Sequence, residues 1–172
     1  MKKYVSLFIT IIVLISGCGK SEELQNVLEN KSTEDIITMM YEEKNPGLEL
    51  GFIPIDLSDS QQLKQFTGIE DASQVKEVSV SEPMISAQAY SLVLVRVSDT
   101  EDPKKIADQM IDKINPQKWV CVGADDIQAA GCGDLVIFVM MSSAMSDQIT
   151  STNMIDAFES VCGKKLDFLE IK

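Results

Sequence analysis

Histidine is absent from all 172 residues. That removes Ser–His and Cys–His nucleophile pairs, His-ligated zinc and the commonest general base near neutral pH. Carboxylates, lysines, tyrosines and thiols remain, so catalysis is narrowed rather than excluded. Arginine occurs once, as Arg96, which leaves no bidentate cluster for phosphate recognition. The four cysteines contain no CxxC pair, so neither a zinc knuckle nor a thioredoxin-type site can be read. Gly131-x-Gly133 is not followed by a helix carrying Lys and Ser/Thr, and is no phosphate loop. Internal repeats and low-complexity blocks are also missing.

Basic side chains are scarce. Setting aside Lys2 and Lys3, 13 remain against 27 acidic ones, a formal balance of −14. That argues against nucleic acid, whose binding rests on Lys and Arg neutralising phosphates. It also means that an anionic leaflet would tend to repel the body of the protein. Solubility is the simplest use of such a charge.

The N-terminus reads differently. Lys2 and Lys3 precede Val5 to Ile15, apolar except for Ser6 and Thr10. This run is about half the ~20 residues a bilayer-spanning helix needs, and it fits a signal-peptide h-region. It ends in Ile15-Ser16-Gly17-Cys18, which resembles the lipobox of bacterial lipoproteins. That resemblance implies a diacylglyceryl thioether on Cys18, cleavage after Gly17, and Cys18 as the first mature residue. A secretory peptide with a coincidental cysteine and an uncleaved anchor are the alternatives. Each buried methylene contributes about 0.8 kcal/mol, so two acyl chains hold a protein durably where one is marginal. Residues 1–17 therefore stand outside any fold argument, and 18–172 suits one domain.

With Cys18 lipidated, Cys121, Cys132 and Cys162 remain. Cys121 and Cys132 could pair if their strands are neighbours, contributing roughly 3 kcal/mol. The alternative is three small buried hydrophobes with free thiols.

Along the chain, residues 19–23 form a polar tether, and Leu24, Val27 and Leu28 have helical spacing. Ser32 is an N-cap with Asp35 as the capping-box acid; Ile36, Ile37, Met40 and Tyr41 share one face; and Lys44-Asn45-Pro46-Gly47 ends the helix. Residues 48–57, interrupted by Pro54, suit an edge strand or irregular crossover, and 58–66 a short helix stopped at Gly68. Val75 to Glu82 alternates as a half-buried strand ended by Pro83. Residues 88–97 form a central strand, with Leu92 and Leu94 on one face and Val93, Val95 and Val97 on the other. Asp102-Pro103 opens a helix with Ile106, Met110 and Ile114 inward. Trp119 to Val122 is expected as a short strand, Ile127 to Ala130 as extended, and Leu135 to Met141 as a buried strand. Ser151 or Thr152 caps a last helix ended by Gly163, and 166–171 suits a short docking strand.

The stretches SAQAYSLVLVRV, DPKKIADQMIDKIN, WVCVGADDIQAAGCGDLVIFVM and MIDAFESV resemble a bacterial lipoprotein family, the domain of unknown function 4358 family. The similarity covers roughly residues 80–162. It implies an envelope lipoprotein of a Gram-positive bacterium and carries no catalytic residues to transfer.

Other features have simple structural uses. Asp125-Asp126 with Asp134 is the best acidic cluster, but lacks the alternating spacing of a Ca²⁺ loop and reads as turn residues. Trp119 beside valines reads as core filling, with a ligand platform as the alternative. Met39-Met40, Met140-Met141, Met145 and Met154 read as packing rather than a soft-metal face. Lys164-Lys165 complements a helix C-terminus.

The expected architecture is α+β in two layers: a mostly antiparallel four-stranded sheet with helices packed on one face. Residues 1–17 are a lipoprotein signal peptide, 18–31 a tether with a short helix, and 32–172 a single domain. The expected function is a membrane-anchored, extracytoplasmic binding or interaction module in the cell envelope. Its partners are the bilayer, through acylated Cys18, and an unidentified envelope protein or ligand; no cofactor, metal or catalytic residue is assigned. A histidine-independent envelope hydrolase using carboxylates is the alternative.

Overall fold

The computed structural model of the protein describes residues 28–85, 87–99 and 101–172. The expected signal peptide, Gly17, Cys18, and Leu24 and Val27 of the expected tether lie outside the described residues. The elements run α1 (Thr33–Glu43), β1 (Leu50–Ile53), α2 (Ser60–Thr67), β2 (Val75–Pro83), β3 (Tyr90–Val97), α3 (Pro103–Lys113), β4 (Asp126–Cys132), β5 (Leu135–Met141), α4 (Ser151–Cys162) and β6 (Phe168–Ile171). Among the described residues no helix is long and apolar enough to cross a membrane.

The α+β, antiparallel reading holds, but the sheet has six strands rather than four, in the order β1-β2-β3-β5-β4-β6. All neighbours are antiparallel. The two additional strands are β1 and β6, four residues each, on the two edges. Short edges limit the row of unpaired backbone groups that another strand could join.

The expectation of helices on one face is also corrected. Every residue of β3 and β5 is buried, so both faces of the sheet centre are apolar and both need cover. On one face, Leu92, Leu94, Ile137 and Val139 pack with α1 and α4 through Ile36, Ile37, Met40, Met154, Ile155 and Phe158. On the other, Val93, Val95, Val136 and Phe138 pack with α2 and α3 through Leu63, Ile106, Ala107 and Met110. The result is three layers.

Strands lie about 4.8 Å apart and a helix is about 10 Å across, so two helices cover roughly four strands. On the α1/α4 face the outer strands accordingly keep apolar side chains in water: Phe52 is 37%, Leu169 46% and Ile171 69% exposed.

Local signals explain where the helices begin. Ser32 and Asp35 form the expected capping box. Asp102 accepts the Lys104 N–H ahead of Pro103. The cap of α4 is Thr150, in a capping box with Asn153, rather than Ser151 or Thr152. Ser151 instead turns inward, where its N–H and hydroxyl both donate to Asp126. The strand expected at Trp119 to Val122 does not form. That segment is irregular, and Cys121 takes a left-handed φ of 64°, which breaks extended pairing.

The sheet has two ends with different neighbours. At the proximal end Arg96, Leu135 and Cys132 are lateral neighbours, and the carbonyl of Leu28, the first described residue, accepts from Arg96 there. At the distal end Tyr90, Met141 and Asp126 are neighbours, and the connections after β2, α3 and β5 gather.

Candidate functional site

The proximal end is organised by the only arginine. Arg96 Nη1 donates to both carboxylate oxygens of Asp134, at 3.2 and 3.1 Å. Its Nη2 donates to the carbonyls of Leu28 and Lys31, each at 3.0 Å, and Glu77 lies 3.7 Å from Nε. A buried guanidinium needs all its donors occupied, and here two of its acceptors are backbone carbonyls of the incoming segment. Arg96 thereby fastens residues 28–31 to the sheet. Beside it opens a cleft of about 460 Å³ lined by Leu28, Glu29, Lys76, Asp99, Cys132 and Asp134. Lys76 and Asp99 pair across it at 2.5 Å.

Asp134 thus serves Arg96, while its presumed companions lie at the other end of β4. Asp125 accepts the N–H and hydroxyl of Ser143, and those bonds hold its carboxyl below the usual range. Asp126 accepts from Ser151. The acidic cluster of the sequence is therefore divided over the length of a strand. Among the described residues, no group of three or more His, Cys, Asp or Glu side chains is arranged to hold a metal ion.

On the α2/α3 face near the distal end, Lys118, Glu82 and Ser91 meet. Lys118 pairs with Glu82, Ser91 Oγ donates to Glu82 at 2.7 Å, and Lys118 Nζ lies 3.3 Å from Ser91 Oγ. The rings of Phe66 and Trp119 lie over the ammonium, with centroids at 5.2 and 5.1 Å. Burial pushes the Lys118 pKa below its ordinary value, and Glu82 opposes that. A serine beside a lysine is one histidine-free route to a nucleophile. Ser91 is fully buried, however, and its proton is committed to Glu82. As built, the triad pins the irregular 114–125 connection to the sheet, and Trp119 is both core and cation cover.

Met40, Met140, Met141 and Met154 are fully buried, as packing predicts. Gly131 faces the Phe168 ring, where an added Cβ would come within 2.2 Å of the ring. Lys164 pairs with Asp167 at 3.5 Å. Cys121, Cys132 and Cys162 are free thiols, the first exposed and the other two buried. Cys121 and Cys132 are therefore not joined, and the thiol that shares the core cluster of Cys132 is Cys162, at the end of α4. Cys18 and Gly17 lie outside the described residues.

The distal end carries the most exposed apolar side chains near the loops: Met84 at 77%, Ile85 at 59% and Val120 at 68%. Next to them, exposed Glu49 accepts the Met84 N–H through its carbonyl. A shallow cleft of about 290 Å³ lies beside them, lined by Gln88, Ala89, Val122, Met145 and Gln148 among others.

No family model matches the chain, and neither a curated protein nor a solved structure matches it.

Proposed function

We propose that the protein is an extracytoplasmic lipoprotein, held on the outer face of the cell membrane through acylated Cys18. Within that class it acts as a binding module for another envelope protein. The observation that carries this reading is the polarity of the sheet. Leu28, the first described residue, lies at the proximal end, whereas the exposed Met84, Ile85 and Val120 lie at the distal end. A tether running from lipid to Leu28 leaves the apolar tips pointing into the wall space rather than into the bilayer. The acidic balance of the chain favours a partner whose apolar patch is rimmed by lysine or arginine, and the partner is a protein because such tips resemble the apolar centre of protein interfaces.

A photoreactive residue at Val120 tests this in the native envelope. It is expected to capture one envelope protein, to lose that capture when Met84→Ser and Ile85→Ser are introduced on the same chain, and to capture nothing comparable when moved to Glu29 at the proximal end. Equal capture from both ends, or capture indifferent to the serine substitutions, contradicts the reading.

The histidine-independent hydrolase is kept as a second reading because Lys118 stands 3.3 Å from Ser91 Oγ. A serine-directed fluorophosphonate that labels Ser91 would favour it. Protection of Ser91 in the folded protein supports the binding module.

A further inference from the structure

Cys132 and Cys162 are the last residues of β4 and α4. Both belong to the core between the sheet and α1/α4, and they are far apart in sequence. Cys132 also lines the proximal cleft beside Gly133 and Asp134, so one thiol of the pair faces a route from solvent while the other, fully buried, stands behind it. Cys121 is exposed on the 114–125 connection, away from both. We infer that Cys132 and Cys162 are a redox-active dithiol that closes to a disulfide, with a low-molecular-weight disulfide entering the proximal cleft as the oxidant.

The chemistry follows from the placement. α4 runs beside β4 from the Gln128–Thr152 hydrogen bond of 2.8 Å, and the Gly133 N–H, next to Cys132, donates to Asp167 just beyond α4, so the ends that carry the two cysteines meet; the neighbouring thiols lower the pKa of Cys132 and raise that of Cys162, with burial adding to the rise. Cys132 is the thiol on the cleft wall, so it is the one an entering disulfide meets first. Its thiolate attacks one sulfur of the oxidant RS–SR, forming a mixed disulfide and expelling RS⁻, which takes up a proton. Cys162 then loses its proton and attacks the Cys132 sulfur. The mixed S–S bond breaks, the second RS⁻ leaves and is protonated, and the Cys132–Cys162 bond forms. Two protein thiols are oxidised by two electrons and one external disulfide is reduced to two thiols. The extracytoplasmic side of a membrane is where such a bond persists. It would tie the end of β4 to the end of α4 next to the Arg96 clasp.

The full-length protein, reduced and then incubated with oxidised glutathione, tests the inference by differential alkylation and peptide mapping of each cysteine. Cys132 and Cys162 are expected to become resistant to alkylation together, to regain it on reduction and to yield a cross-linked peptide, while Cys121 alkylates throughout without joining either of them. In Cys162→Ser the glutathione adduct is expected to stay trapped on Cys132. Alkylation of wild-type Cys132 and Cys162 that glutathione leaves unchanged, or a cross-link from Cys121 to either thiol, would overturn it.

Discussion

Arg96 is where a single side chain decides the most. Its guanidinium joins Glu77, Asp134 and two carbonyls of the incoming segment. Replacing it leaves those carbonyls without their donor and the carboxylates without their cation. Arg96→Met is expected to lose about 2–3 kcal/mol of stability, read as a lower denaturant midpoint at unchanged m-value. Tyr41 and Tyr90 give a second prediction at this scale. Their hydroxyls share a hydrogen bond of 3.2 Å. Burial pushes the Tyr41 pKa from 10.0 up to about 12 and moves Tyr90 well above 10.0. Both shifts are upward for acids, so the folded chain holds its protons longer than the unfolded one. Their contribution is fully present below pH 10 and is lost as pH climbs through about 12. Denaturation at pH 10 and at about pH 12 should show this loss, and Tyr41→Phe should reduce it. A loss equal in the variant and the parent would contradict the assignment.

The elements show what a sequence can disclose and what it withholds. Ser32 with Asp35 and Asp102 with Pro103 are local signals, and both act as read. The seven apolar residues from Leu135 to Met141 form a buried strand because few other short elements suit such a run. The two-sided apolarity of Tyr90–Val97 also implied helices on both faces, a consequence that only becomes visible once both faces are counted. The α4 cap shifted to Thr150 because Asp126, distant in sequence, recruits Ser151. Contacts of that kind have no local trace. Lys118 lies 36 residues from Glu82, and Arg96 lies 38 from Asp134. One clue existed: the β2–β3 register, with Ser81 opposite Leu92, carries Glu82 toward Ser91 at the distal end of the hairpin. At Gly131 the sheet depends on a missing side chain, since Phe168 fills its place. Gly131→Ala is expected to displace β6 and cost about 1–3 kcal/mol. Removing the ring in the double variant with Phe168→Ala should recover part of the cost, a coupling that a double-mutant cycle measures. Strict additivity would contradict the packing account.

At the scale of the whole molecule, orientation links the fold to the proposed function. The sheet runs from an end with Leu28, Arg96, Cys132 and the larger cleft to an end with the exposed apolar Met84, Ile85 and Val120. An acidic body has no electrostatic hold on an anionic leaflet, so the proposed membrane residence rests on acyl chains on Cys18. Cys18→Ala is accordingly expected to move the protein from the detergent-extracted membrane fraction to the soluble or secreted one, with the domain still folded. The most direct measurement is intact and peptide mass spectrometry of the N-terminus of the protein extracted from its own membrane. The account predicts a mature chain that begins at Cys18 and carries a diacylglyceryl group on its sulfur. A mature chain that begins at any other residue, or one with an unmodified Cys18 thiol, would contradict it.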